Sequence, residues 1–453
     1  MRRTVSLILT LALVFLLFSP VSALTHPPIY VSGADAYVLI DAKSGTVLAS
    51  YEGDKKIYPA STTKILTAIV ALEKGSLDMK MTASVAAVHD IGKDGMNIGI
   101  QAGEVMTMED LLNAMLVVSA NETANIIAEN ICETRQEFMD LCNQKAAEIG
   151  ATDTHYTNPC GMHEDSHYTT AMDLAKIARH AMQNEVFRSI VRKTSIQLSP
   201  TNKHSSWNTL YTSNILLRSN NFEGYEITGI KSGYTDPAGR CLITSARNHA
   251  GEELIAVVMG VRAPNSGEVI TDITTKLFEY GFNNFKSLNL VRKNVYLGLH
   301  SVENARDNMP LVLVAQEDLD VFTLASLDLD KVEVKLNINA ELELPVKAND
   351  PVGTADYYYE NELLGSVNIA AGNNVYAEVK KDPDPKERPE NPDDMNEPSE
   401  EIQDDEKSVI QKILQIGKIV IVIVGALLLV YLFLALMVNI QKRKRNGRRR
   451  RNP

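Results

Sequence analysis

Hydrophobic runs and polar breaks divide the chain into three stretches of different period. Residues 36–40 and 46–51 are strand-like runs, and Lys43-Ser44-Gly45 supplies a turn between them. The pattern predicts a β-hairpin. After Pro59 the period lengthens. Ile65, Leu66, Ile69, Val70 and Leu72 recur at the i, i+3/i+4 spacing of one buried helical face. A second helix is expected from Thr107, where Thr107-Met108-Glu109-Asp110 approximates a capping box ahead of Leu111, Leu112, Met115 and Leu116. More helix is expected over 124–131, 135–149 and 171–182. Strands return at 241–245 and 254–261, joined through His249-Ala250-Gly251. From Phe285 the helical period is lost, and 332–336 and 342–344 alternate at period two.

Strands, then many helices, then strands predict an α/β (α+β) domain over 24–284. Its sheet joins both ends of the domain, and a helical part is inserted between them. A small all-β domain is expected over 285–380.

The ends carry different patterns. Residues 1–23 have the form of a secretory signal peptide: Arg2 and Arg3, an apolar run from 7 to 18, Pro20, and small residues up to Ala23. Residues 381–408 read as an acidic tether. Between 382 and 407, twelve Asp/Glu face three basic residues, with five prolines and few large apolar side chains. Such a segment buries too little surface to offset its ordering entropy. Residues 419–438 are 20 consecutive uncharged positions, long enough for one transmembrane helix. Eight cations follow between Lys442 and Arg451, so 439–453 reads as a basic cytoplasmic tail. These features predict a single-pass membrane protein, its folded part outside the cytoplasm.

Charge changes the picture little. The 453 residues carry 45 Lys+Arg and 57 Asp+Glu, a net of −12, which argues against a general nucleic-acid partner. The tail's basic run is accounted for by the membrane. Four cysteines, Cys132, Cys142, Cys160 and Cys241, allow disulfides outside a membrane, with three connectivities open.

Three short motifs are candidates for chemistry. Ser61-Thr62-Thr63-Lys64 opens a helix, so residues i and i+3 share a face and the lysine amine reaches the serine hydroxyl. Ser119-Ala120-Asn121 falls in a polar break between helices. Lys231-Ser232-Gly233, followed by Tyr234, precedes the strand at Cys241. Each motif alone occurs by chance in many chains; their order and context carry the signal.

With those residues in place, the sequence resembles the D-alanyl-D-alanine carboxypeptidases of the low-molecular-weight penicillin-binding protein group. The resemblance includes Tyr58-Pro59-Ala60 around the serine, Asn143-Gln144-Lys145-Ala146, Gly229-Ile230 and Ala238-Gly239, and runs from Ala34 to Val379. It implies a penicillin-binding peptidase domain over 24–284 of the serine-transpeptidase/β-lactamase-like type, with an antiparallel sheet, held at a bacterial cell membrane. Such a domain cuts peptidoglycan stem peptides ending in D-Ala-D-Ala and is acylated by β-lactams. It implies Ser61 as nucleophile, Lys64 as general base and Ser119 as proton relay. Asn121, Lys231, Ser232, Gly233 and Tyr234 are the implied substrate-binding residues, with neither cofactor nor metal. An oxyanion hole is expected from the backbone N–H groups of Ser61 and Tyr234. Lys64 must be neutral part of the time, so burial or neighbouring cations are expected around it. Two departures stand out. Ser232 replaces the usual threonine, and Asn158-Pro159-Cys160-Gly161-Met162 carries a thiol where the family has an imidazole.

Three rival readings remain at this point. A serine β-lactamase shares the motifs, yet no Glu-x-x-Leu-Asn segment lies between Ser119 and Lys231. A non-catalytic wall-fragment receptor would have to signal through a tail of about 14 residues, too short for a folded domain. A metal site is suggested by His155, Cys160, His163, Asp165 and His167 crowding together.

Overall fold

The computed structural model describes residues 29–92, 95–219 and 222–378. The expected signal peptide, tether, transmembrane helix and basic tail lie outside the described residues. Among the described residues no helix is long and apolar enough to cross a membrane.

A five-stranded antiparallel sheet is the frame. Its strands are β1 (Ala36–Asp41), β2 (Val47–Tyr51), β3 (Tyr225–Thr235), β4 (Gly239–Asn248) and β5 (Glu253–Val261), in the order β2-β1-β5-β4-β3. The expected hairpin is present, with Tyr37 opposite Tyr51. On its other side Tyr37 pairs with Val258 of β5, so the two ends of the domain close on each other as the pattern predicts. All six β1 residues are buried. Because side chains alternate across a strand, Ala36, Val38 and Ile40 enter one core and Tyr37 and Leu39 another.

The first core holds the inserted helical part. Its helices include α1 (Lys64–Lys74), α2 (Met108–Asn113), α3 (Asn121–Ile131), α4 (Arg135–Ile149), α5 (Ala171–Ala181) and α6 (Glu185–Val191). The opposite face is covered by α7 (Ser266–Asn284), through Ile270, Ile273, Leu277 and Phe278.

Four details differ from the sequence pattern. Helix α3 starts at Asn121 rather than near 124, so Asn121 is its first residue and not part of a break. Helix α7, the longest described, has no counterpart in the sequence pattern. Val269, Ile270, Thr271, Ile273 and Thr274 favour a strand locally, and burial of one face against the sheet overrides that preference. Lys231-Ser232-Gly233 precedes the Cys241 strand, β4, as expected, but it also lies inside a strand of its own, β3. Residues 342–344 form no strand; Leu342 and Leu344 pack on the β-domain core instead, and Pro345 follows with no N–H for a ladder.

The β domain follows α7 without a break. Strands β6 (Phe285–Val291), β7 (Tyr296–His300), β8 (Leu311–Ala315), β9 (Leu319–Leu324), β10 (Glu333–Ile338), β11 (Pro351–Tyr359) and β12 (Glu362–Ala371) form a β6-β9 ladder and a sheet ordered β7-β8-β12-β11-β10. Leu311, Leu313, Ala355, Val367 and Ile369 are in its own core. All four cysteines are unpaired.

Candidate active site

The Ser61–Lys64 motif follows directly on a strained residue. Ala60 is buried with φ +49°, a conformation that non-glycine residues rarely adopt. Ala60–Thr63 form one 3-10 turn that runs into α1 at Lys64. Ser61 therefore sits in the tighter turn and not in the helix itself. The offset of three residues still brings Lys64 Nζ to 2.8 Å from Ser61 Oγ. Gly161, at φ +85°, crosses behind the turn; a Cβ there would collide with the Ala60 carbonyl. The turn is also held from inside. His167 Nδ1 accepts the Thr157 N–H at 3.1 Å, so its proton is on Nε2, which donates to Thr63 Oγ1 at 2.8 Å. Burial pushes the His167 imidazole down to about 3, which keeps it neutral.

Lys64 is fully buried and donates three hydrogen bonds. Besides Ser61 Oγ they go to Asn121 Oδ1 and to the Cys160 carbonyl, each at 2.7 Å. The ammonium is thus satisfied, yet burial lowers its pKa to about 8, against the opposing pull of the Cys160 and Glu122 side chains. Burial is the cause, of the two causes the sequence suggested. At pH 7 about a tenth of such a group is neutral.

Ser119 ends α2 through a π turn over Ala114–Val118 and takes a left-handed conformation, φ 75° and ψ 24°. Single π turns within helices are often found at functional sites. Asn121, two residues on, anchors the facing loop: its N–H donates to the Met96 carbonyl at 2.8 Å and its Nδ2 to the Ile91 carbonyl at 3.1 Å.

Strand β3 is the edge of the sheet and forms the other wall. Gly233 meets the Ser61 turn so closely that a Cβ would sit 2.9 Å from the Ser61 nitrogen. Ser232 Oγ lies 2.9 Å from Ser213 Oγ. Lys231 is buried, with Nζ donating to the Ser232 carbonyl at 2.8 Å; burial, then Lys64, pushes it well below its ordinary value.

A cavity of about 480 Å³ brings Ser61, Ser119, Asn121, Ser232, Gly233 and Tyr234 together. Of the eight sequence-derived residues, Lys64 and Lys231 stand behind its walls. Sequence reasoning missed Ser213, Asp236 and Arg240, which also line it, and the Cys160 carbonyl that holds Lys64. Because that contact is main-chain, it does not depend on whether residue 160 is a thiol or an imidazole. A larger cavity, about 750 Å³, lies at the junction with the β domain between Arg179, Arg188, Glu253 and Phe322, and holds none of the motif residues. The histidine cluster is taken up otherwise: His167 supports Thr63, His155 Nδ1 contacts the Ser166 carbonyl, and His163 packs edge-on against Tyr58. Among the described residues no group of three His, Cys, Asp or Glu is arranged to hold a metal ion.

Comparison with known proteins agrees with this geometry. A family model described as D-alanyl-D-alanine carboxypeptidase matches residues 23–263, and one described as the C-terminal domain of penicillin-binding protein 5 matches residues 285–377. The D-alanyl-D-alanine carboxypeptidase DacF of Bacillus subtilis is 27% identical over 341 residues, 75% of this chain and 85% of that protein. DacB2 of Mycobacterium tuberculosis, also a D-alanyl-D-alanine carboxypeptidase, is 33% identical over 257 residues, 56% of this chain and 84% of that protein. The crystal structure of penicillin binding protein 5 from Haemophilus influenzae is similar with a TM-score of 0.63 at 25% identity, covering 78% of this chain and all of that one. The mixed α/β fold with its trailing β domain, the serine–lysine pair in the cleft and these matches agree: the chain belongs to the D-alanyl-D-alanine carboxypeptidase family.

Proposed function

We propose that this enzyme, a serine D-Ala-D-Ala carboxypeptidase, removes the terminal D-alanine of peptidoglycan stem pentapeptides through an acyl-enzyme at Ser61. The observation that carries the assignment of roles is the 2.8 Å contact between Lys64 Nζ and Ser61 Oγ at the base of an open cleft. In its neutral form Lys64 takes the hydroxyl proton as Ser61 Oγ attacks the carbonyl carbon of the penultimate D-alanine. The oxyanion faces the N–H groups of Ser61 and Tyr234. Ser119 passes the proton to the departing amine nitrogen, and free D-alanine leaves. Water then attacks the carbonyl carbon of the Ser61 ester. Lys64 takes a proton from it and returns that proton to Ser61 Oγ as the bond from the carbonyl carbon to Oγ breaks, and the tetrapeptide is released. Asn121 keeps Lys64 oriented. Lys231 acts from behind β3: a substrate carboxylate arriving at Ser232 supplies the counter-charge that favours its ammonium form.

Residues 24–284 form the peptidase domain and 285–380 the β domain. The signal-peptide pattern of 1–23, the 20-residue apolar segment 419–438 and the cations after it support secretion and anchoring in the cell membrane, with the acidic stretch 381–408 as tether.

The test is to incubate the full chain, purified in detergent, with benzylpenicillin and weigh it, then to follow D-alanine release from a pentapeptide. A single adduct absent from Ser61→Ala, together with D-alanine release, is expected. An adduct that persists in Ser61→Ala overturns the assignment. Rapid, multiple-turnover penicillin hydrolysis would favour a β-lactamase instead.

A further inference from the structure

One end of the cleft carries two opposite charges that the reaction does not use. Arg240 stands on β4 directly opposite Tyr234 of β3. Its Nε donates to Ser266 Oγ at 3.2 Å, and its guanidinium lies 5.7 Å from the centre of the Tyr234 ring. These contacts fix the plane of the group and leave both terminal nitrogens without a carboxylate partner among the described residues. Asp236 is exposed on the same rim, with Oδ1 accepting from the Tyr234 hydroxyl at 2.8 Å. Both residues line the cavity that holds Ser61.

Strand direction says which part of a substrate meets them. Gly233 is level with the Ser61 nitrogen. Lys231 and Ser232 precede it along β3, while Tyr234, Asp236 and Arg240 lie on the far side. If the leaving D-alanine places its carboxylate at Ser232, the acyl-donor half of the peptide extends past Tyr234 toward Arg240. A lone carboxylate there meets Arg240 but is opposed by Asp236, and a lone ammonium meets the reverse. A group carrying both charges satisfies both, with the carboxylate taking the guanidinium's paired N–H groups.

We propose that Arg240 and Asp236 form a specificity subsite for a side-chain amino-acid zwitterion, a free α-amino and α-carboxylate group, on the acyl-donor half of the stem peptide. The inference rests on the Ser61 carboxypeptidase reading. It is tested with the full chain and two pentapeptides ending in D-Ala-D-Ala. Their third residues differ only in that one side chain ends in an ammonium (lysine) and the other in a zwitterion (diaminopimelate). The wild type is expected to favour the zwitterion by about tenfold in kcat/KM, the scale of a charged hydrogen-bonded contact. Arg240→Gln is expected to bring the ratio near one while still forming the penicillin adduct, evidence that it is folded. Asp236→Asn is expected to weaken both peptides, since both carry the ammonium. Equal kcat/KM for the two peptides in the wild type, or an equal loss on both in Arg240→Gln, overturns the subsite. D-alanine release without a preference strikes only the subsite; release from neither peptide strikes the parent reading.

Discussion

The two walls of the cleft are built from different materials. The helical wall presents Ser61, Ser119 and Asn121 as side chains, and one buried ammonium binds three acceptors on three segments. The strand wall approaches Ser61 with main chain at Gly233, and its hydroxyl and charged groups stand to either side. Chemistry on the helical wall therefore depends on a single pKa and a few side-chain contacts. The strand wall depends on how closely a backbone can approach. Substitutions on the two walls should fail in different ways.

The largest effect is expected at Lys64. Lys64→Met removes the proposed base and the donor to Ser61 together, and general-base loss alone is worth about 10²–10⁴-fold. Penicillin acylation followed by stopped flow should slow by about that factor, with the fold kept. A loss under tenfold would mean that another group activates Ser61. Next comes Gly233→Ala. Its Cβ would press on the backbone nitrogen of Ser61, so the turn or β3 must shift. A drop of about 10²-fold in kcat, the scale of losing one oxyanion donor, is expected with little change in KM. An unchanged kcat would show that the strand wall has slack.

The pH profile sharpens the helical side. In the proposed mechanism neutral Lys64 is the reactive form, and burial lowers its pKa to about 8. Acylation should therefore rise with pH, roughly tenfold per unit below 8, and level off above it. Glu122 is buried beside Asn121, its Oε1 accepts the Ile98 N–H at 2.7 Å, and its charge raises Lys64. Glu122→Gln keeps an acceptor for Ile98 and removes the charge. The acidic limb should move to lower pH; a limb that stays or moves up would remove Glu122 from the electrostatics of the site.

The same contrast explains what was legible in the sequence. The helical wall was readable because Ser61 and Lys64 are tied by a local i, i+3 rule that holds in a 3-10 turn as well as in an α-helix. The hairpin, α1, α4 and α5 were readable for the same reason, since their periods are local. What escaped depends on distant contacts. The Cys160 carbonyl reaches Lys64 across 96 positions, and no side-chain pattern marks a carbonyl acceptor. Ser213 and Arg240 belong to the cleft only because β3 is the sheet edge and pairs with β4. Ser119 was found by motif, but its left-handed backbone follows from a π turn that a hydrophobic pattern does not record. Helix α7 was hidden because its β-branched residues argue locally for a strand.

The smallest expected effect tests the strand wall at its most tolerant point. Ser232 is the position where the family usually has threonine. Its Oγ lies 2.9 Å from Ser213 Oγ and donates to the Ser213 carbonyl at 3.3 Å, so the hydroxyl is already oriented by a neighbour. Ser232→Thr keeps that hydroxyl and adds one methyl on a half-buried strand residue, where β-branched side chains pack well. D-alanine release should change by less than about threefold, whereas Ser232→Ala, which deletes a hydrogen bond to a charged group, should cost about tenfold or more. If threonine costs as much as alanine, the space beside Ser213 is closed to a methyl. The strand wall would then rely on side-chain fit as strictly as the helical wall does, and the contrast between them would narrow to the buried base alone.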